Sequence, residues 1–97
     1  VIDSFKSGRL TGGDKVEKFE DSLAGYVNAP YSIAVANGTI ALDLALKAIG
    51  VTAGDEVILP AMTYIATASA ISYQNAVPVF VDVDRQSLNL NPEKIKS

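Results

Sequence analysis

The sequence predicts an α/β fold in which strands and helices alternate and the strands run mainly parallel. Three observations carry this. Short, largely apolar runs recur at residues 31–36, 56–59 and 78–83, the first closed by Asn37 and the second by Pro60. Between them, residues 39–49 and 63–73 have the length and composition of helices. The chain has 97 residues, 48% apolar and 20% charged, the balance of one small globular domain. Strand–helix–strand alternation builds parallel strands joined by right-handed crossovers.

Residues 1–13 read as an arm ending in the flexible turn Arg9-Leu10-Thr11-Gly12-Gly13. Asp14 stands three residues before Glu17, the spacing of a capping box with Asp14 as cap. Val16, Phe19, Leu23 and Tyr26 then share a helical face, with Lys15, Glu17, Lys18, Glu20 and Asp21 on the wet side. This amphipathic helix closes near Asn28-Ala29-Pro30, because proline disfavours helix in the residue before it.

Residues 31–36 predict a buried strand. Residues 39–49 are apolar almost all round, broken only by Thr39, Asp43 and Lys47, so this helix is expected to be covered on both sides. Gly50 is placed to end it. A turn leads to the second buried strand, residues 56–59, closed by Pro60. Residues 63–73 are rich in alanine, and the backbone of such a helix can approach a neighbour or ligand closely. Residues 78–83 form the third strand. Asn91 and Pro92 suit the cap and first position of a last helix, which has barely a turn before Ser97. Three strands and two full helices cover both faces of a parallel sheet poorly, so the chain reads as incomplete. The expected organisation is an arm and amphipathic helix over residues 1–30, then the first β-α-β-α-β units of a larger domain over residues 31–97.

Composition excludes several functions. Eleven acidic against eight basic side chains give a net charge of −3, the wrong sign for holding a nucleic-acid backbone. No apolar stretch approaches the roughly 20 residues that cross a bilayer. Residues 1–4 carry no signal-peptide pattern, and the cytosol is the expected compartment. Without cysteine or histidine, the chain supplies no disulfide, thiolate, His/Cys zinc site or Ser-His triad.

Ligands of open parallel sheets gather beyond the carboxyl ends of the strands, where helix N-termini also point. Two segments fall there. In Ala36-Asn37-Gly38-Thr39-Ile40, Gly38 lets a ligand approach, Thr39 offers a hydroxyl, and backbone N–H groups at Thr39 and Ile40 meet it at the positive end of the helix dipole. The same residues also make an ordinary turn and cap, and neither a G-x-G-x-x-G nor a Walker pattern is present. In Pro60-Ala61-Met62-Thr63-Tyr64-Ile65, Tyr64 is either an aromatic plate beside the cradle or a core residue. Asp82 and Asp84 flank the end of the third strand and are read as solvating it, with Asp84 starting the turn into Arg85-Gln86. A phosphate cradle beside an aromatic plate suits a flat, phosphorylated ligand.

Four stretches, in order, carry a family resemblance. They are Gly8-Arg9-Leu10-Thr11-Gly12-Gly13 with Val16-Glu17-Lys18-Phe19-Glu20; Ala34-Val35-Ala36-Asn37-Gly38-Thr39 with Ala41-Leu42; Gly54-Asp55-Glu56-Val57-Ile58-Leu59-Pro60 with Thr63-Tyr64-Ile65-Ala66-Thr67; and Val77-Pro78-Val79-Phe80-Val81-Asp82-Val83-Asp84. From Ser7 to Lys96 the chain resembles the N-terminal part of the DegT/DnrJ/EryC1/StrS family of pyridoxal-phosphate-dependent sugar aminotransferases. The resemblance implies the large domain of the aspartate-aminotransferase-like (fold type I) fold. It also implies that Gly38, Thr39 and Ile40 hold the phosphate of pyridoxal 5'-phosphate and that Tyr64 stacks on its ring. Thr11 and Gly12 fall in a segment that approaches the substrate in the family. Asn37 stands where the family usually has serine, and Gln74-Asn75-Ala76 lacks the glycine often found before the third strand.

The family's Schiff-base lysine, its acidic partner for the pyridine nitrogen and its small C-terminal domain all lie beyond this stretch. Lys15, Lys18 and Lys47 sit on polar helix stripes, Lys94 and Lys96 in the last turn, and Lys6 in the arm, so no catalytic residue is expected here. This chain alone is therefore expected to be inactive. The whole enzyme implied is a homodimer that moves an amino group, with glutamate as donor, onto a nucleotide-linked keto-deoxysugar in polysaccharide or antibiotic-sugar biosynthesis. Other members use other keto groups or run dehydrations. The competing reading is a standalone, non-catalytic α/β interaction or phospholigand-binding module. Against it, 97 residues would leave the apolar helix at 39–49 poorly covered.

Overall fold

The computed structural model describes residues 1–8 and 11–96, with the backbone alone at Lys96. The expected turn residues Arg9 and Leu10, and Ser97, lie outside the described residues. Two compact units result, Val1–Val35 and Ala36–Ser97.

In the first unit the arm carries a short helix, α1 (Ile2–Lys6), where the sequence suggested only an arm. α2 (Asp14–Val27) follows as expected, but its cap is Gly13 rather than Asp14. Gly13 takes a φ of 91°, which glycine adopts without penalty, and Asp14 becomes the first helical residue. Here its negative charge faces the positive end of the helix dipole. The chain leaves α2 through Asn28 in the left-handed region, with Ala29 N–H donating to Ala24 O at 2.9 Å and Asn28 N–H to Gly25 O at 3.3 Å. That pair of bonds is a Schellman motif, so Asn28 ends the helix before Pro30 acts.

Residues 31–36 do not form the expected strand. Extended backbone needs a ladder partner to become a strand, and among the described residues no segment runs beside this one. Its polar groups turn to α2 instead: Ala34 N–H donates to the Glu20 carboxylate at 2.7 Å, and Ser32 Oγ donates to Glu20 O at 2.6 Å. The covered stripe of α2 is accordingly Val16, Glu20 and Ala24, while Phe19 and Tyr26 of the expected apolar face stay exposed.

The second unit contains α3 (Gly38–Ala48), β1 (Glu56–Pro60), α4 (Ile65–Tyr73), β2 (Val77–Val81) and a 3-10 turn, Pro92–Lys96. β1 and β2 pair in parallel, Glu56 opposite Val77 through Pro60 opposite Val81, with α4 as the crossover. Among the described residues the sheet therefore has two strands rather than three. Leu59, Ile71 and Ala76 form the core, with Leu46 of α3, Val51, Val57 and Ala68 packed around them.

α3 ends as its sequence required. Gly50 adopts a φ of 83°, Val51 N–H donates to Leu46 O, and Gly50 N–H donates to Lys47 O, both at 3.0 Å. α4 ends with the same pattern of bonds, Asn75 (φ 57°) standing where α3 has Gly50. The expected coverage of α3 fails: it has no buried residue, and Ile40, Leu42 and Leu44 are each about two-fifths exposed.

Three boundaries move for local reasons. Ala61 N–H donates to Val81 O at 2.8 Å, prolonging the ladder past Pro60, so α4 begins at Ile65 rather than Thr63. β2 stops at Val81 because Val83 turns to pair antiparallel with Leu90. Asn91 accepts from Glu93 N–H at 3.0 Å as the expected cap, but the turn it opens is 3-10 rather than α.

Candidate functional site

The second unit presents its ligand-receptive edge at the carboxyl ends of β1 and β2. The loops that follow α3 and α4 meet at the opposite edge, where Gly54 N–H donates to Asn75 O at 3.4 Å. Both helices therefore run back from the carboxyl edge, and their N-termini stand there together. α3 packs against α4. The edge thus carries Asn37-Gly38-Thr39 on one helix and Tyr64 on the other.

At α3, Asn37 is the N-cap: its Oδ1 accepts from Ile40 N–H at 3.0 Å, and its carbonyl accepts from Ala41 N–H at 3.1 Å. One of the donors expected to meet a phosphate, Ile40 N–H, is therefore engaged by Asn37. Among the described residues the N–H groups of Gly38 and Thr39 have no partner. These are the outward donors of the first turn, at the positive end of the helix dipole. Gly38 has no positive φ, so its backbone does not demand glycine. A β-carbon there would enter open space, with nothing within 4 Å. The Asn37 side chain is the element sequence reasoning underrated. Its Oδ1 closes the helix, a role that an asparagine directly before the first helical residue signals.

Tyr64 is the N-cap of α4 with extended backbone, and its side chain is 76% exposed. It is not a core residue. Thr63 Oγ1 and Thr67 Oγ1 lie 2.9 Å apart across the start of this helix.

A hollow of about 750 Å³ opens at the same edge, lined by Ala61, Met62, Asp82, Arg85, Asn91 and Lys94 among others. Lys94, expected in a fraying end, forms part of this wall. Asp84, which also lines this hollow, commits one carboxylate oxygen to its own turn: Oδ1 accepts from Gln86 N–H (3.1 Å), Ser87 N–H (2.9 Å) and Ser87 Oγ (3.0 Å). The Ser87 backbone bond, seconded by the Ser87 hydroxyl, holds this carboxyl below the usual aspartate range. Asp84 is thus the turn-former that its position suggested. No cluster of acidic side chains among the described residues could hold a metal ion. Thr11 and Gly12 belong to the first unit, where both are exposed and Gly12 has a φ of 67°.

By class, this is a parallel α/β domain, a fold whose ligands gather at the carboxyl edge of the sheet. The chain belongs to the DegT/DnrJ/EryC1/StrS aminotransferase family, whose model matches residues 1–97. It is 43% identical over its whole length to the Bacillus subtilis spore coat polysaccharide biosynthesis protein SpsC, covering 25% of that protein. Over 95% of its length it is 44% identical to the UDP-2-acetamido-2-deoxy-3-oxo-D-glucuronate aminotransferase of Pseudomonas aeruginosa, covering 26% of it. The Streptococcus pneumoniae protein Spr1654, solved in a PLP form, superposes with a TM-score of 0.92 at 36% identity, over 98% of this chain and 24% of that one. The chain thus spans about a quarter of the length of these relatives. The likeness establishes the fold as that of pyridoxal-phosphate sugar aminotransferases of fold type I. No helix among the described residues is long and apolar enough to cross a membrane.

Proposed function

We propose that this chain is an N-terminal portion of the large domain of a pyridoxal-phosphate-dependent aminotransferase acting on a nucleotide-linked keto-deoxysugar. The observation that carries the reading is the carboxyl edge itself: two partnerless N–H groups at the start of α3 and an exposed tyrosine at the start of α4. The residues fit the cofactor. A phosphate dianion needs convergent donors at a positive helix end, and Gly38 N–H, Thr39 N–H and the Thr39 hydroxyl supply them. Ile40 N–H adds a further donor when Asn37 rotates off it. A pyridine ring needs a flat apolar neighbour, and the Tyr64 face is open to one.

When bound, the cofactor supplies the electron sink that lets an amino group be exchanged for a keto group. This segment anchors and orients. The α3 donors fix the phosphate, the Tyr64 face fixes the plane of the ring, and the proton-transferring lysine comes from elsewhere in the whole enzyme. Thr11 and Gly12 contribute to the substrate side. The whole enzyme is a cytosolic homodimer using glutamate as amino donor. The name of the Pseudomonas relative, a 3-oxo nucleotide-sugar aminotransferase, supports the substrate class.

The half-reaction tests this. The full-length enzyme loaded with pyridoxal phosphate should lose its visible absorbance on adding glutamate and regain it on adding a UDP- or GDP-linked keto-sugar. An enzyme that converts no nucleotide-linked keto-sugar under either test would refute the substrate class. Failure to take up the cofactor would refute the whole reading.

A further inference from the structure

The cofactor reading requires two helix ends to stand at a fixed offset, since the phosphate donors lie on α3 and the stacking ring on α4. What sets that offset is a question about the seam between the helices. On α3 the half-buried positions are Thr39, Asp43 and Leu46, spaced four and three residues apart along one stripe. On α4 the buried positions Ala66 and Ala70 lead along the helix to the buried Gln74 at its C-cap. Alanine ridges are shallow, so the stretch of seam along Ala66 and Ala70 resists sliding weakly, and the apolar grip lies at one end, where Leu46 packs against the core that includes Ile71.

One polar link crosses it. Gln74, at 8% exposure the one buried polar side chain among the described residues, donates through Nε2 to Asp43 Oδ1 and, at 3.2 Å, to Ala70 O. The other Asp43 oxygen accepts from Lys47 Nζ at 2.9 Å, which holds the carboxylate in place on its own helix. Gln74 is thus tied to both helices, and a directional bond added to this packing favours one register.

We propose that Asp43 and Gln74 are positioning residues that hold the start of α3 in register with the start of α4, and so hold the phosphate donors of Thr39 in register with the ring of Tyr64. Asp43 lies one turn from Thr39 on the same stripe, about 6 Å along the axis. A slip at Asp43 therefore moves Thr39 with little attenuation. The inference rests on the cofactor reading above.

The test uses the full-length enzyme with Asp43→Leu, Asp43→Asn, Gln74→Met and the double variant Asp43→Leu/Gln74→Met. Pyridoxal phosphate affinity, the induced circular dichroism of the bound cofactor and the melting temperature are read for each. Asp43→Leu and Gln74→Met should each weaken binding about tenfold and alter the induced signal. Asp43→Asn keeps an acceptor for Gln74 and should stay within about twofold of wild type with the signal intact. The double variant should be no worse than the weaker single, because one link is lost only once. A lowered melting temperature with affinity and induced signal unchanged would overturn the proposal. If Asp43→Leu does not fold, the near-isosteric Gln74→Met with the Asp43→Asn comparison decides the matter alone. Thr39→Val and Tyr64→Ala run alongside. If these two weaken binding and the Asp43 and Gln74 variants do not, the register proposal falls by itself; if none of them does, the cofactor reading falls with it.

Discussion

Gly38→Ala separates a cofactor role from a folding role at one atom. Gly38 opens α3 with ordinary helical backbone, and an added β-carbon would meet nothing within 4 Å. The substitution should therefore fold normally and stabilise by about 0.5 kcal/mol, since alanine loses less backbone entropy than glycine. Every Cα–Cβ bond of a helix tilts toward its N-terminus, so the new methyl projects into the space in front of the first turn. A phosphate drawn to the Gly38 and Thr39 N–H groups would be displaced by it. Losing one charge-assisted hydrogen bond costs about 2 kcal/mol, or about 30-fold in affinity. Pyridoxal, which lacks the phosphate, should lose nothing. Parallel titrations of pyridoxal phosphate and pyridoxal into wild-type and variant full-length enzyme, with a thermal melt of each, supply the readout. An unchanged preference for the phosphorylated form would refute the reasoning. So would a fall in stability, which would mean that the space before Gly38 is filled by protein.

Further outcomes follow from the same geometry. Tyr64→Phe should keep pyridoxal phosphate affinity within about threefold, while Tyr64→Ala should lose about tenfold, the worth of a stacked ring pair, by fluorescence titration. Leu59→Ala empties the centre of the core, where Leu59 is 2% exposed, and should cost about 3 kcal/mol in denaturant unfolding. Asp84 has its carboxyl lowered by the Ser87 bonds, so its contribution to the 84–88 turn is complete above the ordinary aspartate pKa of 3.8. That contribution fades as pH falls through the lower folded value, where the proton displaces the bonds from Gln86 and Ser87. The protection of the Ser87 amide, its exchange rate referred to the intrinsic rate at each pH, should fall on that acid side, and Asp84→Asn should remove that fall. Gly50→Ala forces a methyl into a φ of 83° and should destabilise by about 1 kcal/mol in chemical unfolding.

The parts legible in the sequence are those decided locally. The span of α2 followed from its helical spacing, although Gly13 and Asn28 rather than Asp14 and Pro30 close its ends, and the ends of β1 and α3 followed from Pro60 and Gly50. The failures are those decided by partners. Residues 31–36 have strand composition, yet a strand exists only beside another, and here Glu20 supplies the bonds instead. The coverage expected for α3 likewise depends on what packs against it, which its own pattern cannot specify. At the carboxyl edge, the start of α3 was readable from Asn37-Gly38 and the end of β1 from Pro60. The Asn37 bond to Ile40 N–H and the Asp43–Gln74 link were not, since the first needs a rotamer and the second joins residues 31 positions apart.

The measurement that tests the central claim most directly is a crystal structure of the full-length enzyme with pyridoxal phosphate. A phosphate oxygen within about 3 Å of Thr39 N, with the pyridine ring lying flat against the Tyr64 ring, is the predicted result. A phosphate held on another helix start, or a Tyr64 turned away from the ring, would contradict it.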